Sequence, residues 1–187
     1  MPELPSRSPH AIDARLVDGT LVHLRPLLAE DEEEFRRGFA AFSPASRYRR
    51  FLDSMQKLTP DQITYLTHVD GKEHVAWVAT FDDASGVERG AAVARSIREH
   101  GDPLIAEFAI AVADDWQGRG VGRVLTRTLA RAVWDEGVRH WRATMLSDNV
   151  PVQRCLLGVA DEESRHVEDR GAVEVMYRLH APTAGGA

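Results

Sequence analysis

The chain contains a single cysteine, Cys155, so it cannot form an internal disulfide bond, which suits a reducing compartment. It has no apolar run near the roughly twenty residues that a membrane-spanning helix needs. Its first residues lack the basic region followed by an apolar stretch that marks a secretory signal. These absences predict a cytoplasmic protein with no membrane partner. The eight histidines show no metal-ligand spacing with one another or with Cys155, so the sequence also predicts no bound metal.

Length and charge favour one acidic domain. A chain of 187 residues, of which 43% are hydrophobic, can bury one core and hardly two. Its net charge of −6 argues against nucleic acid as the main partner. Because both ends are rich in proline, serine or small residues, we predict a flexible N-terminal arm over residues 1–14, one domain over residues 15–181 and a flexible tail over residues 182–187.

The most informative stretch is an alternating strand that runs into a glycine-rich turn and then into an amphipathic helix. Apolar residues alternate over residues 104–113, and they recur every three or four positions over residues 121–136. Gly118, Gly120 and Gly122 leave the backbone open to a ligand, and they tolerate φ values that other residues resist. The first amides of the helix lack internal partners and lie at the positive end of its dipole. This turn therefore favours a phosphate-bearing ligand, and Arg119 and Arg123 add positive charge.

The spacing of the glycines distinguishes among phosphate-binding turns. A nucleoside triphosphatase loop ends in Gly-Lys-Ser/Thr, whereas Arg123 follows Gly122 here. A dinucleotide-binding turn needs Gly-x-Gly-x-x-Gly and an acidic residue about twenty positions later, which this segment does not provide. The turn resembles the acetyl-coenzyme A loop of the GCN5-related N-acetyltransferases (GNAT), whose signature is Gln/Arg-x-x-Gly-x-Gly/Ala. Gln117, Gly120 and Gly122 match its three fixed positions.

The resemblance extends over residues 21–149. Residues 24–26 and the acidic segment after them resemble the family's first strand and helix. Residues 42–51, 66–70 and 106–108 are similar to the acetyltransferase domains of bacterial protein lysine acetyltransferases. The resemblance implies an α+β (α/β three-layer) fold: a mixed, mostly antiparallel twisted sheet with helices on both faces, splayed between the fourth and fifth strands.

The order of elements read from the residues fits that expectation. Residues 21–25, 75–81, 87–98, 104–113 and 138–147 read as strands, with a closing hairpin over residues 165–169 and 172–179. Residues 30–42 and 121–136 read as helices, and Ser43 and Thr59 read as caps that precede a proline.

The resemblance implies acetyl-coenzyme A as the cofactor. Pantetheine would lie along the fourth predicted strand, and pyrophosphate would bind the amides of the glycine turn. Asn149 would bond the pantetheine arm, with a helix cap as the alternative role. The predicted cofactor-binding residues are Ile110, Ala111, Val112, Gln117, Gly118, Arg119, Gly120, Val121, Gly122, Arg123 and Asn149.

Transfer in the family is direct, so a base must take a proton from the attacking amine. By resemblance, Glu107 is the predicted general base, and burial beside Ala106 and Phe108 is expected to raise its pKa. Asp114 and Asp115 are interpreted as loop and cap residues.

The chain departs from the family after Asn149, where the family carries a helix with a tyrosine that protonates the leaving thiolate. Residues 151–159 contain no tyrosine, so the general acid stays open among Tyr177, Cys155, Ser147 and water.

The predicted function is N-acetyl transfer to a primary amine, with a protein lysine as the leading acceptor. Polyamines, amino acids and aminoglycosides stay open as acceptors, and a non-catalytic acyl-coenzyme A sensor is the alternative function. Ser43, Arg47, Tyr48 and Phe51 are candidates for the acceptor cleft. Exposed strand edges at the C-terminal hairpin suggest a homodimer.

Overall fold

The computed structural model describes residues 11–53 and 56–182. Within these residues the chain forms one eight-stranded sheet and five α-helices. The strands are β1 (Ile12–Arg15), β2 (Leu21–Pro26), β3 (His74–Asp82), β4 (Glu88–Glu99), β5 (Asp102–Val112), β6 (His140–Leu146), β7 (Ala160–Val167) and β8 (Ala172–Leu179). The helices are α1 (Glu32–Ala41), α2 (Pro44–Phe51), α3 (Pro60–Thr67), α4 (Val121–Asp135) and α5 (Val150–Leu156). Short 3-10 turns cover Ala29–Asp31, Asp114–Trp116 and Asp169–Gly171.

The strands lie in the order β1-β2-β3-β4-β5-β6-β8-β7, and every neighbouring pair except one is antiparallel. The exception is β5 with β6, which run parallel and pair only over Ile105–Glu107 and the three residues from His140. Beyond Glu107 the two strands separate, which leaves one edge of β5 without a strand partner. The prediction of a mostly antiparallel sheet is confirmed. Its predicted fourth and fifth strands are β5 and β6, and the sheet is open between them, as predicted.

Helices cover both faces of the sheet, as predicted. The amphipathic helix α4 packs against β3 and β4, and it buries a row of apolar residues at helical spacing: Val121, Leu125, Leu129 and Val133. On the other face, α1 packs against β4 and α2 packs against β5 and β6. The strand pair at the split is held by Trp141, whose ring lies 4.6 Å from that of Phe108 and whose indole N–H donates to Ser96 Oγ at 3.0 Å.

Local signals place the starts of α2 and α3 where the sequence predicts them. Ser43 Oγ accepts from the Ser46 amide at 3.2 Å, and Pro44 is the first residue of α2. Thr59 and Gln62 form a reciprocal capping box ahead of α3.

Several boundaries differ from the predicted ones, and three of the differences have a physical reason. The predicted arm over residues 1–14 is wrong at its end, because Ile12–Arg15 pairs with β2 and extends the sheet; residues 1–10 lie outside the described part of the chain. The helix predicted over residues 30–42 begins two residues later, since the Asp31 carboxylate accepts from Arg25 and the Leu28 amide. Strand β7 begins before the predicted residue 165. It is an edge strand that is exposed almost throughout, so its residues show no alternation.

Candidate active site

The glycine turn and the start of α4 form a site with free backbone amides. Gly118 and Gly120 have φ of 75° and 90°, and Gly120 stands at the N-cap of α4. The Val124 amide makes the first bond of the helix, to the Gly120 carbonyl at 3.2 Å. The amides of residues 121–123 precede that bond and therefore have no acceptor within the helix. Together with the helix dipole, they favour an anion at this end of α4.

A cavity of about 530 Å³ extends from the split between β5 and β6 to this turn. This volume lies in the range of ordinary small-molecule sites. All the predicted site residues line it except Arg119 and Val121. Those lining it are Glu107, Ile110, Ala111, Val112, Gln117, Gly118, Gly120, Gly122, Arg123 and Asn149.

Arg119 is absent from the lining of this cavity, and its side chain makes its hydrogen bonds elsewhere. Its Nε donates to Asp18 at 2.8 Å and its Nη2 donates to Thr20 Oγ1 at 2.6 Å. The guanidinium lies over the Trp116 ring, 4.2 Å from its centre. Hydrogen bonds from Thr20 and then from Arg119 lower the pKa of Asp18 to about 2, so this carboxylate stays charged. Arg119 therefore fastens the glycine turn to the loop between β1 and β2.

The Val121 side chain is buried in the core beneath α4, on the apolar face that the helical spacing predicts, so a contact with the cofactor falls to its backbone amide. Only its backbone amide faces the start of the helix. Arg123, two residues further along α4, is the arginine of this segment that lines the cavity.

Gln117 holds the turn against the end of β5. Its amide Nε2 donates to the Val112 carbonyl at 3.2 Å and to Asp114 Oδ1 at 3.0 Å. Burial raises the pKa of Asp114, but hydrogen bonds from Ser46 and Ser43 outweigh it and hold the pKa below its ordinary value. Asp114 is thus an ionised acceptor that joins α2 to the turn, in agreement with its interpretation as a loop residue.

Glu107 lies at the point where β5 and β6 part. Its neighbours Ala106 and Phe108 are buried, whereas Glu107 is exposed, so the expected burial is wrong. The reason is the alternation of a strand, which points Glu107 to the opposite face from both neighbours. On that face Arg50 of α2 is close enough for the Glu107 charge to raise the Arg50 pKa, against the larger lowering by burial.

Asn149 precedes α5 and is buried, and it lines the cavity. It stands at the N-cap position, yet its side chain makes no capping hydrogen bond. This observation speaks against the alternative role as a helix cap, and the contact of Asn149 with the pantetheine arm stays a prediction.

Of the candidate general acids, only Cys155 lines the cavity. Burial raises the pKa of its thiol, so the thiol is protonated at neutral pH. Tyr177 is fully buried in β8 and lies outside the cavity lining, as does Ser147. The phenolic oxygen of Tyr177 has no hydrogen-bond partner among the described residues.

A second cavity, of about 350 Å³, lies between the sheet and α1–α3. It shares Phe42, Arg50, Phe51 and Ala111 with the first cavity, so the two meet there. Of the predicted cleft residues, only Phe51 lines either one. Ser43 is occupied as a helix cap and Arg47 donates to the Ala40 carbonyl at 3.0 Å. Tyr48, too, is absent from both linings.

Arg50 and Arg95 line the second cavity but are not among the residues that the sequence predicts for the site. A signal for Arg95 was present, because it is a charge inside the apolar run of residues 91–97, where a strand buried on both faces is expected to be apolar. Arg50 gives no such signal, because a charged residue is ordinary in a helix as polar as residues 44–51.

No group of three or more potential metal ligands lies together within residues 11–53 and 56–182. In the same ranges, none of the helices combines the length and the apolar character needed to cross a membrane.

The family model of the Acetyltransferase (GNAT) family matches residues 26–158, which is most of the chain. The chain belongs to the GNAT family. Members of this family use acetyl-coenzyme A. The glycine turn, the open edge of β5 and the cavity between β5 and β6 all fall within the matched residues.

Individual proteins agree with the family assignment. The chain is 35% identical over 145 residues to acetyltransferase Pat of Mycolicibacterium smegmatis, a match that covers 78% of this chain and 42% of Pat. It is 31% identical over 167 residues to acetyltransferase PA5475 of Pseudomonas aeruginosa, covering 88% and 86% of the two chains. The structure of the GNAT domain of S. lividans PAT superposes with a TM-score of 0.80 at 26% identity, covering 93% of this chain and all of that domain. The chain thus spans less than half the length of Pat.

Proposed function

We propose that the protein transfers the acetyl group of acetyl-coenzyme A directly to a primary amine. The observation that supports this most is the single cavity that joins the free amides of α4, the open edge of β5 and the carboxylate of Glu107. These are the parts that anion binding, placement of an extended arm and proton removal require.

The cavity fits acetyl-coenzyme A at three positions. Gly122 faces Val112 and Cys155 closely enough that a β-carbon would occupy space in the cavity, so the glycine keeps the backbone open. Arg123 supplies positive charge beside the free amides, where the pyrophosphate would bind. The uncommitted amide of Asn149 is available to the pantetheine arm, which would lie beside Ile110–Val112.

Bound acetyl-coenzyme A would supply a thioester carbonyl. Glu107 accepts the proton of the attacking amine, directly or through water, because an ammonium has no lone pair for attack. Its exposure gives an acceptor access from the face that carries α1 to α3. The Cys155 thiol lies against Gly122 beside Val112, five residues along β5 from Glu107, so we assign it no proton transfer, and water is the proton donor to the leaving sulfur.

A protein lysine is the first acceptor to test, because the resemblance to bacterial protein lysine acetyltransferases covers several segments of the chain. The name Pat of one relative is consistent with that choice. Polyamines, amino acids and aminoglycosides form the rest of the panel.

The test is thiol release from acetyl-coenzyme A, with Glu107→Gln compared with the exposed Glu136→Gln as a matched control outside the cavity. We expect Glu107→Gln to lower kcat by about 10²- to 10⁴-fold with unchanged acetyl-coenzyme A binding. Cofactor binding without release for any acceptor would favour an acyl-coenzyme A sensor instead, and equal rates for the two glutamate variants would remove Glu107 as the base.

A further inference from the structure

Two arginines line the second cavity without an ion pair within the described residues: Arg95 is buried, and Arg50 is partly buried, with the Glu107 carboxylate as the nearby charge that acts on it. Arg95 is 2% exposed, and its Nη1 donates to the Leu66 carbonyl at 3.0 Å and meets His74 Nε2 at 3.0 Å. Within the described residues, no hydrogen bond uses its Nε or Nη2, and no ion pair involves Arg95 or Arg50. Arg50 contacts the Phe51 ring, 4.8 Å from its centre, and its charge acts on Arg95.

Both arginines remain charged at neutral pH. Burial lowers the pKa of Arg50 to about 10, and burial together with the Arg50 charge lowers that of Arg95 to about 9. His74 cannot compensate them, because burial and then the Arg95 charge lower its pKa to about 4 and keep it neutral. Arg95 is thus a charge out of water beside a second positive charge, and a buried charge destabilises a fold unless something pairs with it.

The acids that line the same cavity are already paired. Asp31 and Glu88 form ion pairs with Arg25, and Glu34 pairs with Arg37 and Arg89. Glu30 is exposed at the outer end. The Gly90 amide donates to Glu34 Oε1 at 2.9 Å, which places Gly90 at the acidic end of the cavity. Gly90 lies five residues along β4 from Arg95, which is about 16 Å at the rise of an extended strand. The inner end of the cavity is therefore cationic.

The arginine pair lies beside the proposed base. Arg95 stands opposite Ala109 in the register of β4 and β5, so Arg95 and Glu107 share one face of the sheet as diagonal neighbours. Diagonal neighbours have Cα atoms about 7–8 Å apart. Arg50 lines both cavities and connects the two positions. A group bound by the arginines would thus lie a few bonds from an amine at Glu107.

We propose that Arg50 and Arg95 bind a carboxylate of the acceptor, so that the acceptor is an amine that carries a carboxylate close to its reacting nitrogen. The inference deepens the proposed acetyl transfer and rests on it. Guanidinium groups pair with carboxylates through paired N–H donors, and Arg95 retains three such donors on Nε and Nη2. The cavity of about 350 Å³ holds roughly a dozen waters at ~30 Å³ each, which is room for a small amino carboxylate. Apolar residues such as Phe35, Phe39 and Val78 line the remainder and would contact its carbon chain.

Two sources could supply that carboxylate, a free amino acid or an acidic side chain next to a target lysine. The experiment compares matched pairs: amino acids against their carboxamides, and lysine peptides flanked by glutamate against the same peptides flanked by glutamine. For the source that applies, the wild type should show a KM about 10- to 100-fold lower for the carboxylate member. Arg50→Met should bring that ratio close to one, whereas Arg36→Met, an arginine of α1 outside both cavities, should leave it unchanged.

A purely structural role for Arg50, or a role in placing Glu107, would change kcat for both members of each pair alike, and that result would overturn the proposal. Binding provides a test that needs no turnover. N-acetylglutamate and N-acetylglycine should raise the Tm of the wild type more than their carboxamides do, and this difference should vanish in Arg50→Met. Equal shifts would also overturn it. Thiol release from acetyl-coenzyme A without a preference for the carboxylate member would contradict the arginine subsite but agree with the proposed acetyl transfer. Carboxylate-dependent shifts in Tm without thiol release would agree with the subsite but contradict the acetyl transfer.

Discussion

The substitution Gly122→Ala separates the stability of the protein from its affinity for acetyl-coenzyme A. A β-carbon at Gly122 would lie 3.4 Å from Val112 Cγ2, 3.5 Å from Cys155 Sγ and 3.6 Å from Ile110 Cδ1. These are ordinary contacts, and the φ angle of Gly122 is outside the left-handed region. The protein alone can therefore accommodate alanine. All three contacted side chains line the cofactor cavity, so the added carbon occupies space that the proposed ligand needs.

The two effects have opposite signs. Glycine within a helix costs roughly 0.5–1 kcal/mol relative to alanine. Gly122→Ala should therefore raise the free energy of unfolding by up to about that amount, and Tm by about 1–4 °C for a domain of this size. Losing one hydrogen bond between an amide and a phosphate costs about 1.5–3 kcal/mol. Binding of acetyl-coenzyme A should weaken about 10- to 100-fold.

Gly120→Ala is the comparison variant. Nothing lies within 4 Å of a β-carbon at Gly120, but its φ of 90° is left-handed. Alanine there costs about 1–2 kcal/mol in backbone strain, so this variant should lose both stability and cofactor affinity. Thermal unfolding and isothermal titration with acetyl-coenzyme A measure the two quantities. If Gly122→Ala binds acetyl-coenzyme A as tightly as the wild type, the ligand does not lie against this turn and the reasoning fails.

Two further predictions concern buried polar groups. Tyr177→Phe removes a buried hydroxyl without a partner, so it should leave turnover unchanged and raise the free energy of unfolding by up to ~1 kcal/mol; a fall in kcat would reinstate Tyr177 as a catalytic candidate. The His74 pKa is about 4 in the folded state against 6.5 in the unfolded state, so protonation favours unfolding as pH falls from 6.5 through 4. From pH 7.5 to pH 5 this destabilises the wild type by about 2 kcal/mol, a loss that urea unfolding should find absent in His74→Gln.

Much of the fold follows from local pattern. The alternation of Phe108, Ile110 and Val112 and the helical spacing after Gly120 are properties of neighbouring residues, and both elements appear where the sequence predicts them. The predicted strand lacks the first five residues of β7. With both faces exposed, this edge strand does not show the alternation that burial of one face imposes.

The side-chain directions at the site required the tertiary structure. Arg119 reads from the sequence as a phosphate ligand, yet its partner Asp18 lies 101 positions earlier, and no local pattern encodes that contact. Alternation along β5 places Glu107 on the face opposite Ala106 and Phe108, but whether that face is covered depends on how α2 packs against β5 and β6, which the residues of β5 do not specify. Arg50 and Arg95 come from a helix and a strand that approach only in the folded chain, so their shared cavity has no sequence signature.

The alternation of β5 explains how one strand can serve both substrates in the proposed reaction. Phe108 and Ile110 lie on the face of α4, whereas Glu107 and Ala109 lie on the face of Arg95. Because β6 pairs only as far as Glu107, the open backbone edge beyond it reaches both faces. A cofactor placed along that edge would present its carbonyl beside Glu107, with the acceptor approaching from the arginine side. The cofactor would bind at the open edge of β5, and the acceptor carboxylate would bind at the arginine cavity on one face of the sheet. Because these are different surfaces, a substitution at one of them should weaken binding of its own ligand and leave binding of the other unchanged.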